Sequence, residues 1–204
     1  MFRRTLALAG AFALVFAAAA PAASVRIRVE GKTQTIFGTA EPRLDATTAL
    51  EALEHAAGAG EFYFHVTVTG FGPYVDQVGL YAGVGTSGWV YKVNGASPPV
   101  AADQYVLDDG DRVLWYYATF GETGGPPTLL LERAGSGSRN CYRVYKQDDT
   151  GQRTAAIGAV LHVGSRRVAK TQGATQAAIG CVGRHRGLLV RATLAGAVRS
   201  NALA

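Results

Sequence analysis

Hydrophobic and polar residues alternate along several short stretches of the chain, which is the pattern of β-strands with one buried face. Apolar residues alternate with charged ones over 25–30, and a turn at Gly31-Lys32 leads into a returning strand over 33–37. Alternation together with aromatic and β-branched residues predicts further strands. These strands are expected at 62–69, 88–93 and 112–117.

One segment between these strands has helical spacing instead. Asp45 stands where a helix N-cap belongs, because its carboxylate can accept the free N–H groups of the first turn. Leu50 and Leu53 lie three residues apart on one face, two alanines continue that face, and Gly58 is placed to end the helix. Two strands, one helix and several more strands predict an α+β domain with one helix packed on a mixed sheet.

A Gly- and Pro-rich stretch without a hydrophobic period, residues 121–127, predicts a linker between two domains. The first domain is expected over 24–120 and the second over 128–204. The second domain is strand-rich throughout and predicts a small all-β sandwich. Its strands are expected at 128–132, 141–146, 159–163 and 188–194.

The N-terminus has the pattern of a secretory signal peptide over residues 1–23. Arg3 and Arg4 precede an apolar run over 6–20, and Ala20-Pro21-Ala22 offers small residues at a cleavage site. The alternative is a membrane anchor, but the run is shorter than the roughly 20 residues that a spanning helix needs. We therefore expect cleavage, export to the cell envelope or the medium, and no transmembrane segment afterwards.

Charge gives little reason to expect nucleic acid or an acidic membrane as a partner. Without Arg3 and Arg4, the chain has 18 basic and 15 acidic residues. Glycine is frequent, with 26 residues in 204, which favours a fold with many turns.

The two cysteines of the chain, Cys141 and Cys181, are predicted to form a disulfide. A pair in an exported protein is usually oxidised. A closed loop of about 40 residues would stabilise the fold by roughly 4 kcal/mol in the chain-entropy model. Two free thiols or half of a metal site are the alternatives.

Aromatic residues are concentrated in the strands 88–93 and 112–117. Trp89 and Trp115 either form a stacking platform for a planar or sugar ligand or fill the core, which is the more frequent use of such residues. Tyr116 lies on the opposite face from Trp115, so it is expected to be an exposed contact. Tyr91 and Asn94 could reach a ligand, while Asn94 with the following glycine also forms a turn. The candidate ligand-binding residues are therefore Trp89, Tyr91, Asn94, Trp115 and Tyr116.

The first domain resembles the C-terminal domain of transcobalamin and intrinsic factor, which bacteria carry as an exported domain of unknown function. The resemblance rests on WVYKVNG at 89–95, the apolar segment 105–107 and DDGDRVLWYY at 108–117. It implies a β-grasp-like fold. In that family the domain covers one face of a corrin ring, and a helical barrel domain holds the rest of the vitamin. This sequence has no such barrel, so cobalamin is only an alternative ligand and no cofactor is expected.

The second domain is similar to prealbumin-like, Ig-like and carboxypeptidase-regulatory-like modules of exported proteins. That similarity rests on the segments 158–163, 167–175 and 189–192. It implies the same β-sandwich that the strand spacing predicts.

Other motifs have structural interpretations. The segment 83–88 satisfies GxGxxG, but a strand follows it where a dinucleotide site needs a helix, so we interpret it as a loop. Asp108, Asp109 and Asp111 are either calcium ligands or a solvated hairpin turn, and they lack the spacing of an EF-hand. No catalytic residues are predicted, because the four histidines are scattered and neither Ser87 nor Ser136 has the setting of a hydrolase nucleophile.

Two classes of function remain for a non-enzymatic exported protein. The first is a binding or envelope module that recognises an unknown small molecule or an envelope polymer. Two basic segments bear on this class, since they either attract an anionic polymer or form solvated loops: Arg166-Arg167 and Arg184-His185-Arg186. The second is a small-molecule binding protein, with corrinoids among its candidate ligands. A pocket lined by Trp89, Tyr91 or Trp115 favours the second class, and a convex surface with both indoles enclosed favours the first.

Overall fold

The computed structural model describes residues 21–70, 72–135, 140–173 and 178–204. Most of the predicted signal peptide, residues 1–20, lies outside the described residues. Within the described ranges the chain forms one helix and sixteen strands, which make four sheets. In chain order the elements are β1 Ala23–Glu30, β2 Thr35–Phe37, β3 Arg43–Ala46, α1 Ala49–Gly60, β4 Phe64–Thr69, β5 Gly72–Val78, β6 Tyr81–Ala82, β7 Ser87–Val93, β8 Arg112–Thr119, β9 Thr128–Arg133, β10 Cys141–Gln147, β11 Arg153–Ala155, β12 Val160–Val163, β13 Arg166–Lys170, β14 Ala178–Cys181, β15 Val190–Thr193 and β16 Ala202–Leu203.

The predicted fold class is wrong. The expectation was an α+β, β-grasp-like domain followed by an all-β sandwich, whereas the described residues are mostly β and are divided among several sheets. Two-residue alternation and glycine turns recur along the described chain, while helical spacing holds only over the 12 residues of α1. The boundaries 24–120, 121–127 and 128–204 stay predictions.

The first sheet has the strand order β2-β1-β8-β7, with β3 also paired to β1. β1 and β8 run parallel, and the other pairs are antiparallel. The inward residues of β1, Val25, Ile27 and Val29, are fully buried under α1 and join both tryptophans in one core. β7 is the last strand on its side of the sheet, and none of the other described strands pairs with its outer edge.

The helix begins and ends at other residues than predicted. Thr48 is the N-cap, with its hydroxyl accepting the Glu51 N–H at 3.2 Å, and Asp45 lies in β3 instead. The helix continues past Gly58 to a left-handed C-cap at Glu61. Both Asp45 and Thr48 can cap a helix, and the pairing of Asp45 with β1 decides between them.

The second part of the chain forms a sheet of β9, β10, β11 and β14 and a sheet of β12, β13, β15 and β16. The four strands predicted here correspond to β9, β10, β12 and β15, and their inward residues form a second core. The predicted disulfide is confirmed, since Cys141 and Cys181 are bonded and lie opposite each other on β10 and β14. No helix in the described part of the chain has the length and apolarity needed to cross a membrane.

The two parts of the chain contact each other through buried charges on the face of the first sheet opposite α1. The fully buried Glu30 carboxylate accepts hydrogen bonds from Arg28 at 2.9 Å, Arg191 at 2.9 Å and Arg199 at 2.8 Å. Buried Lys92 donates to the carbonyl oxygen of Asp148 at 2.7 Å. Desolvation lowers the pKa of Lys92 and of Arg191. The first sheet is therefore covered on both faces, and β7 lies at its edge.

Candidate functional site

A cavity of about 600 Å³ lies along the edge of β7. Its residues come from both faces of that strand, since Trp89 and Tyr91 point to the α1 side and Val90 to the other. The cavity thus straddles the sheet edge. Its lining is Leu50, Thr69, Gly72, Pro73, Tyr74, Val75, Trp89, Val90, Tyr91, Ser97, Pro98, Ala101, Ala102, Trp115, Tyr116, Phe120 and Asp149.

The β4–β5 hairpin forms one wall of this edge cavity. Tyr74 lies over β7 at Gly88, where any side chain larger than hydrogen would overlap the Tyr74 hydroxyl. Glycine at position 88 is therefore what allows the phenol of Tyr74 to reach across the strand.

The segment 97–102 forms the opposite wall and is held by hydrogen bonds at Val100 and Ala102. The Tyr91 hydroxyl donates to the carbonyl of Val100 at 2.7 Å, and the Leu50 N–H of the first helical turn donates to the carbonyl of Ala102 at 2.9 Å. Because that helical N–H has no partner within the helix, the wall and the helix stabilise each other.

Trp89 and Trp115 form the floor with their carbon surfaces. Both indole N–H groups are already bonded, Trp89 to the carbonyl of Tyr81 at 2.7 Å and Trp115 to that of Ala49 at 2.9 Å. Tyr91 stacks on Trp115, with ring centroids 5.3 Å apart. The floor therefore offers aromatic surface to a ligand, but neither indole N–H is free to donate a hydrogen bond to it.

Asp149 is the one charged residue of the lining given above. Its carboxylate is 3.2 Å from the Lys92 ammonium and 3.3 Å from the Ser97 hydroxyl, and its side chain is 51% exposed. Lys92 is fully buried and lies outside the lining, so the exposed member of this ion pair that a ligand in the cavity would meet is the Asp149 carboxylate. This arrangement favours a neutral or cationic ligand over an anionic one.

Burial changes the acidity of the cavity phenols. Desolvation, followed by the nearby Tyr105 and Asp103, raises the pKa of Tyr91 to about 12. Desolvation also raises the pKa of Tyr116. Both phenols are therefore neutral at physiological pH.

Four of the five predicted ligand residues line the cavity. Trp89 and Trp115 are each only 2% exposed, so most of their surface is core and a small part faces the cavity. Tyr91 is half-buried in the cavity wall. Tyr116 also borders the cavity, but the prediction that it is exposed is wrong: it is 1% exposed, because the second part of the chain packs over its face and Lys92 lies 5.9 Å above its ring.

Asn94, the fifth predicted residue, lies outside the cavity and acts as a turn former. It has a positive φ of 53°, its amide donates to the Asp111 carboxylate at 2.7 Å, and its carbonyl oxygen accepts the Arg112 N–H at 3.0 Å. Asp111 also accepts the Asp108 N–H at 3.0 Å. The acidic segment thus forms a hydrogen-bonded turn.

Tyr74 and Phe120 are cavity residues that the sequence analysis did not identify. They are 43% and 39% exposed, which makes them the most accessible aromatic side chains of the lining. Tyr74 lies on a hairpin that is not paired to β7, and Phe120 follows the last residue of β8. Neither position carries a local sequence signal that separates it from an ordinary surface residue.

A second polar cluster lies on the hairpin outside the cavity. The ring Nδ1 of His65 is 2.7 Å from the Asp76 carboxylate, which also accepts the Thr67 hydroxyl at 2.6 Å. These bonds, first that of Thr67 and then that of His65, lower the pKa of Asp76. Across the described residues, no group of three or more His, Cys, Asp or Glu side chains is arranged to hold a metal ion.

The family described as a domain of unknown function (DUF4430) matches residues 46–119. That range includes α1 and the strands β7 and β8 that form the cavity floor. No curated protein matches the chain.

Among solved structures, the chain is similar to one from Ruminococcus gnavus that is described as a "putative metal binding protein". The two chains are 18% identical with a TM-score of 0.36, and the match covers 47% of this chain and 95% of the other. Neither this match nor the family match shows the transcobalamin resemblance.

Proposed function

We propose that this protein is an exported, non-enzymatic binding protein that holds a neutral or cationic small ligand against the aromatic floor of the edge cavity. The observation that carries the proposal is the cavity itself, with a volume of about 600 Å³ and six aromatic residues in its lining. That volume lies within the roughly 300–1,000 Å³ of typical ligand sites, which combine apolar walls with a few polar groups.

The same observation favours a small ligand over an envelope polymer. A polymer that lies on a flat surface needs exposed platforms, whereas Trp89 and Trp115 are accessible only from within the cavity. A concave site surrounds more of the surface of a small ligand than a flat sheet does.

A titration with N-phenyl-1-naphthylamine, a neutral aromatic probe, tests this function. Binding should quench or shift the fluorescence of the two tryptophans in a saturable manner. Tyr74→Ala and Phe120→Ala should each weaken binding about threefold to tenfold, since one aromatic contact contributes about 0.5–1.5 kcal/mol. Tyr63→Ala is the matched control, because Tyr63 is 57% exposed and does not line the cavity.

The proposal fails if the probe does not bind, or if Tyr63→Ala weakens binding as much as the two cavity variants do. Cyanocobalamin, titrated in parallel with correction for its own absorbance, tests the corrinoid alternative. Binding of cyanocobalamin that is lost in Tyr74→Ala would identify the ligand class.

Export is the second part of the proposal. Its support is the Cys141–Cys181 disulfide, since such bonds persist in oxidising compartments. Expression of the full chain in a bacterium should yield protein outside the cytoplasm that lacks residues 1–23, as measured by intact mass. Full-length protein retained in the cytoplasm would contradict export.

A further inference from the structure

Among the strands that the structure describes, none pairs with the outer edge of β7, which borders the cavity. In the antiparallel pair of β7 and β8, Asn94 donates its N–H to the carbonyl of Arg112, and Phe120 donates to that of Thr86, both at 2.9 Å. Residues of even number in β7 therefore bond to β8. Since bonding alternates along an antiparallel pair, the N–H and C=O groups of Trp89 and Tyr91 point away from β8 toward the open edge.

Turns close this open edge at both ends. Val84 and Ser87 exchange backbone bonds of 2.8 and 2.9 Å at one end, and Val93 and Ala96 exchange bonds of 2.9 and 3.0 Å at the other. In the part of the chain that the structure describes, the unoccupied edge thus spans Trp89 to Tyr91. That length, about 7 Å, fits three residues of an extended chain.

We infer that the ligand of this cavity is a short extended peptide that pairs antiparallel with Trp89 and Tyr91. This inference rests on the proposed function and assigns its ligand class. The first and third residues of the peptide exchange main-chain hydrogen bonds with the two β7 residues, as in other cases of strand addition.

The two faces of β7 determine which side chains fit. In an antiparallel pair, opposite residues point to the same face. The first and third side chains therefore lie on the face of Trp89 and Tyr91, where Leu50 also lines the cavity. The middle side chain lies on the face of Val90, where the Asp149 carboxylate provides the charge. The cavity accordingly selects an apolar–basic–apolar peptide.

A second copy of this chain is a poorer occupant of the edge. The closing turns at Val84–Ser87 and Val93–Ala96 limit pairing to a window of three residues, and the walls at 72–75 and 97–102 stand on either side of it. A short free peptide can enter such a window. A strand of a second folded copy would bring its adjacent strands with it, and these would clash with the two walls.

The test uses N-acetyl-Val-Lys-Val-amide with the full exported chain. The peptide should displace N-phenyl-1-naphthylamine, and at saturation hydrogen exchange at the Trp89 and Tyr91 amides, followed by NMR, should slow at least tenfold. The amides of Ser87 and Val93 are already bonded and serve as internal controls. N-acetyl-Val-Glu-Val-amide should bind at least tenfold more weakly, because its carboxylate meets Asp149.

Backbone methylation gives a matched pair of peptides. A methyl group on the third amide nitrogen removes a bond to β7 and should abolish displacement, whereas methylation of the middle nitrogen, which points away from the edge, should preserve it.

The outcomes separate this inference from the proposed function. If the naphthylamine binds and the peptide neither displaces it nor slows the two amides, the peptide inference is wrong and the apolar site stands. If neither compound binds, the proposed function itself fails. Slowing of the same amides on concentrating the free protein, with a dimer in sedimentation, would show self-pairing and overturn the peptide assignment.

Discussion

The Glu30 carboxylate is surrounded by the guanidinium groups of Arg28, Arg191 and Arg199, and it has no exposed surface. A buried carboxylate in this position compensates cations that come from both parts of the chain. Removing a single member of such a network leaves the others desolvated and unpaired, which costs far more than the loss of a surface ion pair.

Glu30→Gln should therefore lower the free energy of unfolding by about 3–5 kcal/mol, as measured by urea denaturation. Glu132→Gln is the matched control, because its pair with Arg153 is about 40–47% exposed and such pairs contribute about 0–1 kcal/mol. Equal effects of the two substitutions would contradict the compensating role of Glu30.

The raised pKa of Tyr91, a residue of the cavity wall, makes the stability of the protein depend on pH. Its folded pKa, raised to about 12, exceeds the value near 10 of an unfolded tyrosine. The contribution of the Tyr91 phenol to the free energy of unfolding is fully present below pH 10. It is lost as the pH rises from 10 toward 12, because the unfolded chain releases the phenol proton at a lower pH than the folded chain does.

Tyr91→Phe removes this titration and also the hydrogen bond to Val100. We expect the variant to be less stable than the wild type by about 0.5–1.5 kcal/mol at pH 8, with the difference shrinking between pH 10 and 11.5. Urea unfolding at each pH measures both values. A difference that stays constant over that range would argue against the buried phenol.

At the scale of elements, the disulfide joins β10 and β14 across 40 residues of chain. Cys141→Ser combined with Cys181→Ser should lower the free energy of unfolding by roughly 4 kcal/mol, through the larger entropy of the unfolded chain. Dithiothreitol should destabilise the wild type and leave the double variant unchanged. The wild type should take up no iodoacetamide before reduction, and two labels without reductant would contradict the bond.

Strand positions were predictable wherever alternation and glycine turns coincided, as at β1, β7 and β8. The start of α1 was not, because Asp45 and Thr48 are equally suited to cap a helix and only the pairing of Asp45 with distant β1 excludes it. The division into four sheets depends in the same way on pairings between strands far apart in sequence.

The candidate site, too, was predictable only where local sequence patterns determine the position of a residue. Trp89, Tyr91 and Trp115 follow from the aromatic pattern of adjacent strands, and three-dimensional packing brings them to one cavity. Tyr74 reaches the cavity through packing of an unpaired hairpin, and Tyr116 is buried by the second part of the chain. Such tertiary contacts leave no periodic signal in the sequence.

At the scale of the whole molecule, the buried charges of Glu30 and Lys92 join the two parts of the chain. Separating the parts would expose or unpair these groups, so we expect one cooperative unfolding transition in calorimetry. Both tryptophans lie in the first part, and their fluorescence should therefore change at the calorimetric midpoint. Two calorimetric transitions, with fluorescence following only one, would show that the parts unfold independently.

The cavity has a floor that belongs to the core and walls that belong to surface segments. Substitutions at Pro73, Tyr74 or Pro98 should change which ligands can enter, whereas Trp89 and Trp115 are almost fully buried and should be needed for folding. Selectivity and folding thus depend on largely separate residues. A library randomised at the wall positions alone should yield variants with new preferences on an unchanged scaffold, which makes the chain a suitable starting point for engineered recognition.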